Sequence, residues 1–399
     1  MSVQHANRGI VKKDLQLYYN REFVKSFRGE ATTNFILQTE NLTNSWAGNL
    51  FNNWINATVT ANADLAPNGS LTASRLTGGY SRWTNSITVS ASTTYTASIW
   101  LKNISLGIDP SINIATGLNG TLVSYGVANT VITRSTIANW RRVSITYTIP
   151  ASGVNQIQFG IRYEGDYPNQ NSILVWGAQF EQKAYASTYL ANSSASSISR
   201  TNTIAGGGGL LDISGNNVNV DLSLSSFDST GYIFNGSSNY IPVTKTLYVP
   251  MTISGYAKYT DQAKALNTFI NGQPHNTIAI SLNRNSAGNL VVYLGNGSAW
   301  IGTPSITSSS TITVNVWYNI TFTCDGTIST LYLNGVVVGT SSHIPSGFGS
   351  SFFIGHLTDG VSSSEYFKGS ISSFQVYGRS LTAVEVLQNF NATRTTYGI

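Results

Sequence analysis

Two pairs of carboxylates lie close enough in the chain to act together: Glu164 with Asp166 in RYEGDYP, and Asp359 with Glu365. Two acids facing one another across a cleft at ~5–10 Å would cleave glycosidic bonds, one protonating the leaving group and the other acting as base or nucleophile. Both pairs sit in loop-like sequence, and no Glu-x-Asp-x-Glu strand accompanies them. They therefore read as solvated loop acids or as calcium ligands. Asp-Gly and Gly-Asn turns supply the carboxylates and carbonyls that Ca2+ prefers, but no EF-hand spacing fixes such a site, so calcium stays open as the one cofactor to consider. The four histidines (His5, His275, His343, His356) are too scattered to form a metal set. Nucleophilic catalysis lacks a Gly-x-Ser-x-Gly elbow. The single cysteine, Cys324 in FTCDG, sits in an apolar strand and reads as a small buried hydrophobe.

Binding chemistry is better represented than bond-breaking chemistry. A sugar offers an apolar C–H face and a rim of hydroxyls, so its site needs a flat aromatic ring beside fixed amides or hydroxyls. The segment Tyr80-Ser81-Arg82-Trp83-Thr84-Asn85 puts such groups together, and Trp54 in FNNWIN and Trp46 are similar. In the second half, Trp300 in NGSAWIG and His275 in NGQPHN lie in loop-like sequence. The candidate glycan-binding set is Trp83, Tyr80, Arg82, Asn85, Trp54, Trp300 and His275, with no catalytic residue. Trp83 and Trp300 read equally as ligand platforms or as ordinary packing. Trp100, Trp140, Trp176 and Trp317 fall in alternating strands and read as core.

Strands must position these residues. Segments such as Thr94-Tyr95-Thr96-Ala97-Ser98-Ile99-Trp100-Leu101 and Val143-Ser144-Ile145-Thr146-Tyr147 alternate with period two. Asn-Gly pairs at 119, 235, 271, 296 and 334 separate many of the strands, and both residues of that pair tolerate positive φ. Short strands at this spacing predict an all-β chain of antiparallel sandwich or jelly-roll domains. One helix is expected, at the C-terminus. Thr382 and Glu385 form a capping box there, and Val384, Leu387 and Phe390 give a narrow apolar stripe.

The 399 residues carry 22 Lys+Arg against 17 Asp+Glu, and only 10% of them are charged. That charge is too thin and too evenly spread for a nucleic-acid protein. Apolar runs are of strand length, far short of the ~20 residues that cross a bilayer, so no membrane insertion is expected. The first twenty residues lack an apolar core of signal-peptide length, so export by that route is not expected.

Two stretches resemble known families. Thr33-Asn34-Phe35-Ile36-Leu37, Asn44-Ser45-Trp46, Ala66-Pro67-Asn68-Gly69, Asn139-Trp140-Arg141 and Trp176-Gly177-Ala178-Gln179-Phe180-Glu181 occur in one order. That series is similar to the jelly-roll carbohydrate-binding modules of xylanases and of phage head-spike or tail-fibre proteins. Leu331-Tyr332-Leu333-Asn334-Gly335, Phe367-Lys368-Gly369-Ser370-Ile371 and Val376-Tyr377-Gly378-Arg379-Ser380-Leu381 resemble laminin-G-like, concanavalin A-type lectin sandwiches. Residues 10–27 resemble the opening strand of such a lectin, yet its usual continuation appears only at Asp212-Ile213-Ser214-Gly215-Asn216. The resemblance implies an insertion. Residues 31–192 would be one jelly roll, residues 1–30 plus 206–399 the lectin sandwich, and 193–209 a Ser/Gly-rich linker. Lys368-Gly369 would begin a strand where only glycine allows close backbone approach.

The resemblances imply a non-enzymatic virion protein, a fibre or spike on the surface of a phage particle, that binds host cell-surface polysaccharide for adsorption. Other virion proteins and copies of itself, a trimer favoured, are the expected partners. The alternative is a capsid, neck or baseplate decoration protein without glycan binding, and a glycan hydrolase is disfavoured by the missing acid pair.

Overall fold

The computed structural model describes residues 9–21, 25–37, 39–40, 57–78, 81–162, 171–194, 196–229, 231–273, 280–346, 349–358 and 364–399. The chain is almost entirely antiparallel strand, with one α-helix among the described residues, Ala383–Thr393. It divides into two compact units, residues 31–200 and residues 1–30 plus 201–399. The first unit is thus inserted between two parts of the second.

In the inserted unit, one sheet runs Arg141–Thr148, Thr94–Asn103, Ser172–Glu181, Ala73–Thr77, Thr58–Asp64. The other runs Thr121–Val131, Ser111–Leu118, Gln156–Arg162, Ser81–Trp83, with Ile87–Thr88 also on Gln156–Arg162. Alternation explains the packing: Tyr95, Ala97, Ile99 and Leu101 from one sheet meet Ile112, Ile114, Ile157, Phe159 and Ile161 from the other in one core. The opposite faces are covered as well, and every residue of Ser172–Glu181 is buried. Trp176 therefore lies outside the main core. It forms a satellite cluster with Trp100 and Trp140, which are only partly buried, and with Tyr189. Trp317 is likewise only partly buried, so of the four tryptophans expected in the core only Trp176 is buried, and that on the outer face.

The enclosing unit is the larger sandwich. Its eight-stranded sheet runs Ser226–Asp228, Gly231–Asn235, Lys368–Tyr377, Met251–Tyr259, Trp317–Cys324, Ser329–Leu333, Val336–Ser341, with Leu15–Asn20 also on Lys368–Tyr377. Its six-stranded sheet runs Ile241–Val243, Ser351–Ile354, Leu266–Gln273, Ile280–Asn285, Asn289–Gly295, Trp300–Thr311. Leu17, Ile253, Ile270, Leu282, Phe322 and Phe374 share the core between them, and Cys324 is fully buried in it. Asp212 fastens the opening strand to the chain beyond the insertion. Its Oδ1 accepts the Tyr18 and Ser214 amides and its Oδ2 the Val218 amide. Lys368-Gly369 behaves as expected: Gly369 has φ +141°, and a Cβ there would lie 2.0 Å from the Lys258 carbonyl oxygen.

Two expectations are corrected. Residues 193–209 are not a loose tether. Ile198–Arg200 pairs with Thr32–Asn34, and Gly209–Leu210 pairs with Phe27–Gly29. The glycines between serve close packing, since a Cβ on Gly208 would lie 2.0 Å from the Thr201 carbonyl oxygen. The helix buries Val386, Asn389 and Phe390, whereas Val384 is 76% and Leu387 44% exposed. A buried Asn389 accounts for the turn of the helix. Its Oδ1 accepts the Val11 amide and its Nδ2 donates to Tyr377 Oη.

Candidate functional site

In the inserted unit a cavity of about 350 Å³ opens between residues 35–37 and residues 84–88. Both walls are pinned by buried polar side chains. Asn34, fully buried, donates from Nδ2 to the Ala178 and Leu190 carbonyls, and its Oδ1 accepts the Ile36 and Phe180 amides. Asn192 holds the same segment through the Ile36 carbonyl. On the other wall, Thr84 Oγ1 accepts the Phe159 amide and the Thr84 carbonyl accepts Gln158 Nε2. Phe35 is half-buried, set edge-on against Tyr95 and Phe180 at 6.3 Å, and those two rings stack at 5.2 Å. The result is a fixed aromatic edge and aliphatic wall, with Asn85, Ser86 and Thr88 exposed at the mouth. Among the described residues no carboxylate lines the cavity, and the residues that do line it offer contact to a C–H face and hydrogen bonds to hydroxyls.

Of the expected site residues, Asn85 is the one this cavity uses. Trp83 is not an exposed platform. It is 2% exposed, and its Nε1 donates to Ser81 Oγ at 3.0 Å. Its partner in the ladder is Gly160, and a Cβ there would lie 2.3 Å from the indole. The missing side chain is what lets the ring lie down on the sheet. Arg82 is half-buried on the same strand. Tyr80, Trp54, Trp46 and His275 lie outside the described residues, as do Glu164, Asp166 and Asp359. Phe35 was quoted only as part of a family-like motif. The signal that marks it is the neighbouring Asn34, whose amide and carbonyl both serve the backbone.

In the enclosing unit, Trp300 is half-buried at the head of its strand, edge-on to Tyr293 at 6.1 Å. Tyr293 belongs to a row across four strands, Phe353, Asn271, Ser281, Tyr293. Strand spacing of ~4.8 Å makes that row about 14 Å long, with a ring at each end and polar groups between. Asn271 and Ser281 are fully buried, and the short strands His356–Thr358 and Ser364–Tyr366 pack on the same Leu266–Gln273 strand. His356 lies between Tyr366 (4.1 Å, 11°) and Phe353 (5.5 Å, 18°). Burial pulls its imidazole down to about 4, against the opposing effect of a backbone hydrogen bond at Glu365.

That environment has a consequence for pH. The fold favours neutral His356, whereas the unfolded chain takes up the proton near pH 6.5. The contribution is intact above pH 6.5 and is lost as the pH falls toward 4, to a total of roughly 3 kcal/mol. Urea denaturation at pH 7 and pH 4 checks it. The His356→Phe chain is expected to lose correspondingly less stability across that range, and a loss equal to wild type would rule His356 out as the cause.

Among the described residues no group of three or more His, Cys, Asp or Glu is placed to hold a metal ion. Also among them, no helix is long and apolar enough to cross a membrane.

Residues 235–387 match the family model described as the concanavalin A-like lectin/glucanases superfamily. No curated protein matches the chain. Among solved structures the chain is similar to Trypanosoma rangeli sialidase, at 13% identity and TM-score 0.37, over 48% of this chain and 31% of that one. It is similar to an HCR/D mutant at 16% identity and TM-score 0.37, over 47% and 49%. It is also similar to a heptameric SAP-like pentraxin from Limulus polyphemus at 21% identity and TM-score 0.32, over 39% and 78%. The chain spans about a third of the first of these structures and about half of the second. What the family match identifies is a concanavalin A-like lectin/glucanase-type jelly roll over residues 235–387, within the enclosing unit.

Proposed function

We propose that this is a non-enzymatic glycan-binding protein whose inserted unit takes a sugar in the Phe35–Asn85 cavity. The observation that carries the reading is the cavity's chemistry, a fixed aromatic and aliphatic wall beside an exposed amide and hydroxyls, with no carboxylate among the described residues. The lectin-type fold of residues 235–387 supports it. We propose further that the glycan is a host cell-surface polysaccharide, that the protein sits on the surface of a phage particle, and that it works as a homo-oligomer, a trimer favoured. One weak sugar site per chain would then be multiplied by avidity.

The test is binding of purified protein to an array of cell-envelope glycans, with and without calcium. Saturable binding competed by one sugar class is expected. Phe35→Ala and Asn85→Ala should each weaken it about tenfold or more, the loss of ~1.4 kcal/mol that one stacking or hydrogen-bonding partner supplies. No binding by folded wild-type protein, or binding untouched by both changes, would sink the reading. A calcium requirement would assign the metal that the sequence leaves open.

A second reading, a virion decoration or assembly protein without glycan binding, has one observation in its favour. Val384 and Leu387 of the helix, with Val336 and Val337, are 44–76% exposed, and Leu387 packs beside Gly335. Apolar groups gathered in this way are suited to packing on another protein.

A further inference from the structure

Arg284 is a cation buried in the enclosing sandwich at 1% exposure. Its Nη1 donates to the Asp261 and Asn285 carbonyls at 3.4 and 3.2 Å, and its Nη2 to the Ile312 carbonyl at 3.3 Å. Carbonyl dipoles solvate a guanidinium without neutralising it. The Asp261 carboxylate is engaged elsewhere. Asp261 meets Lys368 Nζ at 3.2 Å, and Glu365 meets Lys264 Nζ at 3.8 Å. Among the described residues no carboxylate pairs with Arg284, whose hydrogen-bond partners there are all carbonyls.

Three polar atoms around Arg284 lack partners among the described residues: its own Nε, Tyr259 Oη and Asn267 Nδ2. All three carry hydrogens to donate. Tyr259 is fully buried, with its ring centre 6.0 Å from the Arg284 guanidinium. Asn267 is fully buried directly opposite Arg284 in the ladder, and its Oδ1 is spent on the Lys368 amide. Gly369, the next residue, is the ladder partner of Tyr259. Arg284 and Tyr259 thus meet across the two sheets, with Asn267 beside Arg284 in its own sheet. A water molecule accepts two hydrogen bonds and brings two protons of its own that need acceptors. A small anion accepts all three and cancels the charge.

We propose that Arg284, Tyr259 and Asn267 form a buried site for one small monovalent anion of the halide class, chloride in ordinary buffers. The near-complete burial of all three side chains excludes anything much larger. The anion would couple the Ile280–Asn285 strand of one sheet to the Met251–Tyr259 strand of the other.

The test uses the full chain. Thermal unfolding is followed in sodium chloride and in sodium gluconate at equal ionic strength, and crystals grown in sodium bromide are examined for an anomalous peak. Chloride is expected to raise the Tm saturably by about 2–4 °C over gluconate, the shift that ~1 kcal/mol of linked binding gives a domain of this size. Bromide is expected between Arg284 and Tyr259. Tyr259→Phe keeps the ring and removes one donor, so it should shrink the chloride shift, and Arg284→Met should abolish it. Equal Tm in the two salts with no bromide peak would overturn the site. So would a chloride shift that survives undiminished in Tyr259→Phe, which does not depend on whether the arginine variant folds.

Discussion

Replacing Glu181 with alanine is expected to destabilise the inserted unit by about 3–5 kcal/mol. The side chain is fully buried, with no cation paired to it among the described residues. The carboxyl group is held by hydrogen bonds. Thr32 Oγ1 donates to Oε2 at 2.5 Å, Gln179 Nε2 and the Ser187 amide donate to Oε1 at 2.8 Å, and the Ser187 hydroxyl donates as well. Truncation removes the acceptor of four hydrogen bonds in a place water does not reach; Gln179 Nε2 keeps Ser187 Oγ and the Ser187 hydroxyl keeps the Thr188 carbonyl, whereas the Thr32 hydroxyl and the Ser187 amide are stranded and their desolvation cost falls on the fold. The same carboxylate joins three pieces of chain: the Ser172–Glu181 strand that carries it, Thr32 in the entry strand, and the turn at Ser187. Urea denaturation followed by circular dichroism checks the prediction. A loss below ~1 kcal/mol would show that water replaces the carboxylate, and Glu181→Gln should fall between alanine and wild type.

The second large effect belongs to Gly369→Ala in the enclosing unit. Its φ of +141° is closed to residues with a side chain, and the new Cβ would meet the Lys258 carbonyl oxygen at 2.0 Å. The two strands that must separate, Lys368–Tyr377 and Met251–Tyr259, form the centre of the eight-stranded sheet, so relief at this point breaks a ladder rather than an edge. A loss above ~4 kcal/mol is expected, in the range reserved for backbone conflict and core disruption. Soluble expression with an unfolding midpoint near wild type would show that the local backbone can swing aside at little cost.

These two residues also show how far the sequence can be read. Both lie in the short runs that carry the family resemblances, and each has a local reason to be there: Gly369 a close backbone approach, Glu181 a set of buried donors. The strands were legible through period-two alternation, and the capping box through the spacing of Thr382 and Glu385, whose amide and side chain bond reciprocally in the structure. The buried face of the helix was not legible. Hydrophobic periodicity points to Val384 and Leu387, whereas the fold buries Asn389 to satisfy Val11 and Tyr377, partners 378 and 12 residues away. The site was half legible. Asn85 could be picked by residue type. Trp83 could not be placed, because its position turns on Gly160, a ladder partner 77 residues on that no local pattern connects to it. The run Gly206–Gly209 is opaque for a related reason, since four consecutive glycines look alike whether the chain is loose or tightly packed against carbonyls.

The placement of Leu15–Asn20 bears on how the chain folds during synthesis. Leu15 pairs with Tyr377, 362 residues later. At ~5–20 residues per second, the opening strand waits roughly 20–70 s for its partner to be made. The inserted unit is complete at residue 200 and can close during that interval. The waiting strand, LQLYYN, is apolar, with Leu17, Tyr18 and Tyr19 all buried in the finished fold. Residues 212–218 can meet Tyr18 and Tyr19 earlier, but until the last strand of the sheet is made the ladder edge of this strand lacks its native partner, and it is open to whatever else in the cell binds extended apolar chain.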